Sequence, residues 1–87
     1  MIVAKAPTTA WRIIEGEAVI LSMETKVLRG LNPLGSRVWE LIDGKRSMDE
    51  IVGQIVREFD VETRQADEDV RRFVQELLDK GLVTPVK

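Results

Sequence analysis

The segment Leu31-Asn32-Pro33-Leu34-Gly35, running on into Val38-Trp39-Glu40-Leu41-Ile42-Asp43-Gly44, divides the chain into two kinds of structure. Asn32 carries an oxygen suited to accept a backbone N–H at a helix start. Pro33 suits the first helical position, where no N–H donor is needed. Upstream, apolar residues cluster in short β-rich runs; downstream, they recur at helical spacing. The expected architecture is a small sheet joined through one junction to a set of helices. That layout favours binding over catalysis.

Residues 11–14 and 18–22 form the first two β-rich runs. Glu15-Gly16-Glu17 separates them, and Gly16 supplies the positive φ that a tight turn needs. Met23-Glu24-Thr25 is a second turn, and residues 27–31 are a third run weakened by Gly30. Such short connections predict an antiparallel meander. Residues 1–8 read as a flexible lead-in. The first helix is expected over residues 33–42 and stops at Asp43-Gly44. Ser47 and Glu50 form a capping box for the second, whose Met48, Ile51, Val52, Ile55, Val56 and Phe59 recur at steps of three and four. Asp60-Val61-Glu62 is a connector, and Thr63 is the expected cap of a last helix reaching about residue 80. Its apolar positions are Ala66, Val70, Phe73, Val74, Leu77 and Leu78. Leu82-Val83 then returns as a short extended tail. The predicted fold class is α+β and winged helix-turn-helix-like: a three-stranded antiparallel sheet followed by three helices, in one domain over residues 1–87.

Composition narrows the chemistry. A chain of 87 residues hides roughly 60–65% of its unfolded surface, which leaves little room for a deep catalytic cavity. There is no Cys and no His, so thiol nucleophiles, the commonest zinc ligands and the usual general base are missing. A metal would have carboxylates alone as ligands, and no cofactor is expected. Gly30 and Gly35 stand isolated and form no phosphate-cradling loop. The net charge of −2, from 13 basic and 15 acidic residues, argues against binding that rests on phosphate neutralisation. The first seven residues are too short and broken for a signal peptide, and no apolar run approaches a membrane span of ~20 residues. A cytoplasmic location is the expectation.

Several residues admit two readings. Asp67, Glu68 and Asp69 form either a contact for a metal or cationic peptide or a solvated face favoured by the helix dipole. Trp39 lies one position off the main apolar stripe, which suits partial burial against the second helix. Trp11 either covers the sheet or helps a partner dock. Phe73 sits between two apolar rows and divides between core and partner. The sheet itself has two edges with unpaired N–H and C=O groups. The N-terminal segment or the C-terminal tail can shield the first strand. The third has no evident fourth partner, and Lys26 and Arg29 there serve either as peptide contacts or as guards against aggregation.

The junction residues 31–35, the run 39–44, and Asp69-Val70 ahead of Phe73, Leu77 and Gly81-Leu82-Val83 together resemble the PqqD-like family. These are small recognition domains of pathways for ribosomally made, post-translationally modified peptides. The resemblance spans about residues 11–83. It implies a non-catalytic adaptor that binds the leader segment of a precursor peptide and presents it to a modifying enzyme, often a radical S-adenosylmethionine enzyme. The leader adds as a strand to the third strand's edge, in a cleft beside the last helix. By that analogy the peptide-binding residues are Lys26, Val27, Leu28, Arg29, Gly30 and Leu31 on the strand. On the last helix they are Asp69, Arg72, Phe73 and Glu76, which share a face by their spacing. Members devoted to pyrroloquinoline quinone synthesis usually carry a Pro-Glu-Gly turn before the third strand; this chain has Ser22-Met23-Glu24-Thr25-Lys26, a departure that leaves room for a precursor other than the quinone's own.

Strand addition predicts that proline at Leu28 or Arg29 weakens peptide binding. The competing reading is a winged-helix DNA-binding protein, but residues 63–80 carry four basic and five acidic side chains. Partners other than the precursor and its enzyme are not expected, nucleic acid and membrane included. The chain is expected to be a monomer or a weak homodimer joined through its exposed edge.

Overall fold

A computed structural model describes residues 1–86. The elements are β1 (Val3–Lys5), β2 (Thr9–Ile14), β3 (Glu17–Ser22), β4 (Leu28–Gly30), α1 (Pro33–Leu41), α2 (Met48–Glu58), α3 (Thr63–Asp79) and β5 (Val83–Pro85). β2, β3 and β4 form the expected three-stranded antiparallel sheet with β3 at its centre. A two-residue turn joins β2 to β3, with Glu15 at φ 51° and Gly16 at φ 82°. Both angles match the type I′ hairpin, whose twist suits the flanking strands.

The N-terminus is not a loose lead-in. β1 pairs antiparallel with β5, placing Val3 opposite Pro85 and Lys5 opposite Val83. Val3 and Val83 are buried. The two terminal segments therefore satisfy each other, and neither of them pairs with β2.

The helices start for local reasons. The Asn32 side-chain oxygen accepts the Gly35 N–H at 2.7 Å, with Pro33 at the first helical position. At α2, Ser47 and Glu50 bond each other's backbone N–H groups at 3.1 and 2.8 Å. α3 differs from expectation: its cap is Glu62, without a side-chain bond, and Thr63 is the first helical residue. The core joins Ala18, Ile20 and Leu31 from the sheet side to Val38, Trp39, Ile51, Ile55, Val70, Val74 and Leu77 from the helices.

Trp39 is wholly buried rather than partly so. Trp11 meets it edge-to-face with ring centroids 6.2 Å apart. The Lys5 ammonium lies 5.0 Å from the Trp11 ring centroid and 5.3 Å from that of Trp39, and donates to the Ile42 carbonyl at 2.6 Å. Burial pushes the Lys5 ammonium pKa down, opposed by the nearby charges of Asp43 and Glu40. The lid over Trp39 thus comes from β1 and β2, not from α2 alone.

Candidate functional site

The pairing of β3 with β4 decides which backbone groups are vacant. Val19, Ile20 and Leu21 lie opposite Gly30, Arg29 and Leu28. The Leu31 N–H donates to the Ala18 carbonyl at 2.9 Å, and the Ser22 N–H donates to the Val27 carbonyl at 3.0 Å. Antiparallel pairs alternate between bonded and non-bonded positions. Residues 27, 29 and 31 therefore turn their peptide groups toward β3. Leu28 and Gly30 turn theirs outward, which leaves two N–H and two C=O groups on the free edge.

Side-chain direction follows the same parity. Ala18, Ile20 and Ser22 are buried on the helix-facing side of β3. Their opposite numbers Leu31, Arg29 and Val27 share that side. Leu28, 67% exposed, belongs to the other face.

Between this edge and the C-terminal end of α3 lies a cleft of about 570 Å³. Ile20, Val27 and Leu82 give it apolar lining, with Arg29, Asp79 and Lys80 around them. Gly81, at φ 72°, ends α3 and brings Leu82 back into the cleft. The Leu82 N–H donates to the Leu77 carbonyl at 2.9 Å, which fixes that return. Arg29 spans the space to α3 through a single contact, Nη2 to Glu76 Oε2 at 3.4 Å. A second, more open hollow of about 640 Å³ lies by Gly30, Asn32 and the β2–β3 turn, where Glu15 and Glu17 line it.

The residues named from sequence do not all meet here. Val27, Leu28 and Arg29 line the cleft. Gly30 continues the free edge, and Leu31 is buried in the core. Lys26 is in the preceding turn at φ 62°, its N–H bonded to the Ser22 carbonyl at 2.8 Å. Glu76 reaches the strand through Arg29. Asp69 and Arg72 pair with each other at 3.2 Å. Phe73 is half-buried over α1, and a Cβ added at Gly35 would lie 3.4 Å from its ring. None of these three lines the cleft.

Sequence reasoning missed Asp79, Lys80 and Leu82. The series 69, 72, 73, 76 extended by steps of three and four gives 79 and 80, so that signal was present. The acidic run is also accounted for locally, since Asp67 bonds Arg71 at 2.9 Å and Asp69 bonds Arg72. Among the described residues, no group of three or more acidic side chains is arranged to hold a metal ion, and no helix is long and apolar enough to cross a membrane.

Residues 17–83 match the profile of the family described as Coenzyme PQQ synthesis protein D (PqqD). The chain belongs to the PqqD family. The matched stretch takes in β3, β4 and all three helices, hence both walls of the cleft. A "PqqA binding protein" of Rhizobium meliloti (strain 1021) is 31% identical over 64 residues, which cover 74% of this chain and 63% of that protein. The chain thus aligns with less than two thirds of that relative. Among solved structures, TbiB1 in complex with the TbiA(beta) leader peptide superposes with a TM-score of 0.85 at 30% identity, covering 92% of this chain and 93% of TbiB1. Lasso peptide synthetase B1 complexed with the leader peptide gives a TM-score of 0.86 at 18% identity, covering 98% and 100%. The latter shows a shared fold.

Proposed function

We propose that this PqqD-family chain is a non-catalytic adaptor that takes up the leader segment of a ribosomally made precursor peptide as a fourth strand on β4. The observation that carries the reading is the vacant edge of Leu28 and Gly30 beside an apolar cleft under α3. An extended peptide there gains up to four main-chain hydrogen bonds, each worth ~0.5–1.5 kcal/mol net. One or two side chains set in the cleft add ~1.5–3 kcal/mol each. After ordering costs, micromolar to sub-micromolar affinity is expected. Relatives named for a leader peptide or for PqqA support the class of guest. The adaptor holds the leader while the rest of the precursor reaches a modifying enzyme, in the simplest case a radical S-adenosylmethionine enzyme.

The test is titration of the isotope-labelled chain with leader segments, PqqA and the TbiA(beta) leader among them, followed by backbone amide NMR. Saturable shifts concentrated at residues 27–31 and 76–82 are expected. A leader that binds while the Leu28 and Gly30 amides stay unmoved overturns strand addition. The DNA-binding alternative gains nothing from the structure. α3 carries its Arg71 and Arg72 in ion pairs with Asp67 and Asp69, so those cations are already engaged.

A further inference from the structure

The parity that turns Leu28 and Gly30 outward also dictates which side chains of a guest strand face α3. Residues directly opposite in a β pair lie on the same face of the sheet, and their neighbours alternate. The guest residue level with Arg29 therefore points to the helix side, with its Cβ roughly 4.5–5.5 Å from that of Arg29. The guest residues two positions to either side point the same way, level with Val27 and Leu31.

We propose that Arg29 reads this central guest position as a carboxylate, so that the preferred leader carries the pattern apolar-x-Asp/Glu-x-apolar. The inference rests on the strand-addition reading above and specifies its guest. Arg29 is 30% exposed in its side chain and touches one carboxylate oxygen, that of Glu76 at 3.4 Å. A guanidinium has five N–H donors in a planar fork, so most remain open to a second carboxylate without loss of the first. A cationic guest side chain instead sits directly across from Arg29, the arrangement that destabilises a strand pair. Glu76 and Asp79 on the α3 side are the counterweight, and Lys80 on the same wall offsets one of them.

The flanking positions are apolar for a separate reason. Val27 is 59% exposed, faces the helix side, and stands beside Ile20 and Leu82 in the cleft. At the other end Leu31 is itself buried, and the half-buried Phe73 ring, which like Leu31 lies against Gly35, offers the apolar surface. An apolar guest side chain at either place removes such surface from water. The pattern is symmetric about its centre, so it holds for a guest running in either direction.

The test uses three acetylated, amidated peptides, Thr-Val-Thr-X-Thr-Leu-Thr with X as Asp, Asn or Lys, titrated into the full chain and followed by amide NMR. Asp is expected to bind roughly five-fold tighter than Asn, and Lys weaker than both. Arg29→Glu is expected to invert the order. Arg29→Gln, which keeps the side chain's bulk and adds no repulsion against Glu76, is expected to flatten it and guards against misfolding of the reversal variant. If the Leu28 and Gly30 amides shift with all three peptides but affinity ignores X, or the same order persists in Arg29→Gln, the assignment of Arg29 is overturned while strand addition stands. If those amides move with none of the peptides and with none of the leader segments, strand addition falls and takes this inference with it.

Discussion

Proline at Leu28 and proline at Arg29, interchangeable on sequence alone, are expected to do opposite things. The Leu28 N–H points off the sheet, so Leu28→Pro removes no bond from the fold, and an edge strand tolerates proline. What it removes is one donor to the guest, worth ~0.5–1.5 kcal/mol net, and it leaves a guest carbonyl unpaired at further cost. A loss of about 2 kcal/mol is roughly thirty-fold in affinity. The Arg29 N–H faces Ile20, a wholly buried residue at the centre of the sheet. Arg29→Pro strips that carbonyl of its donor, ~1–3 kcal/mol for a buried group, and forces the strand off its ladder. Set against a total stability of roughly 4–13 kcal/mol for a chain of this length, that is a serious loss. The assay pairs urea unfolding by circular dichroism with titration of a leader segment that binds the wild type. Leu28→Pro should unfold near the wild-type midpoint and bind weakly; Arg29→Pro should unfold early. A Leu28→Pro chain that folds and binds like wild type refutes strand addition. A stable Arg29→Pro beside an unfolded Leu28→Pro refutes the parity.

Arg37 grips Glu58 with two bonds of 2.7 and 2.9 Å, and Gln54 adds a third at 2.6 Å, so the Glu58 carboxyl is held down to about 2. A depressed carboxyl pKa contributes stability above the ordinary value of 4.5 and loses it as pH falls through the folded value. The difference in urea midpoint between wild type and Glu58→Gln should therefore close between pH 4.5 and about 2. Lys26 holds a left-handed backbone at φ 62°, which costs a side-chain-bearing residue ~1–2 kcal/mol. Lys26→Gly relieves that and loosens the unfolded chain by ~0.4–1 kcal/mol, so thermal unfolding should show a net gain of up to about 1.6 kcal/mol. Gly35→Ala puts a Cβ 3.0 Å from the Asn32 side-chain oxygen. It should cost about 1 kcal/mol in thermal unfolding by disturbing the α1 cap.

Legibility followed locality. The Asn32 cap, the Ser47–Glu50 box and the hairpin at Gly16 each depend on residues within a few positions, and all are as the sequence indicates. The pairing of β1 with β5 joins segments about eighty positions apart, each three residues long and without readable alternation. The depth of Trp39 escaped for a related reason: a helical stripe measures only its own helix, while Trp11 and Lys5 arrive from elsewhere in the chain. At α3, Glu62 and Thr63 are adjacent acceptors, and nothing local chooses between them. The outward set at Leu28 and Gly30 depends on how many residues the β3–β4 turn spans, and shifting that turn by one residue exchanges the vacant and occupied groups.

The clasp of Val3–Lys5 against Val83–Pro85 sets the first and last strands side by side. A fusion partner, tag or tether therefore departs from one corner whichever terminus carries it. Seating the whole unit inside a host protein's surface loop asks that loop to open by little more than the ~5 Å between paired strands. Trimming back to residue 82 strips β1 of its paired strand and leaves that segment anchored only toward the helices, where the Gly44 N–H donates to the Val3 carbonyl, the Met48 N–H to the Met1 carbonyl and Lys5 to the Ile42 carbonyl.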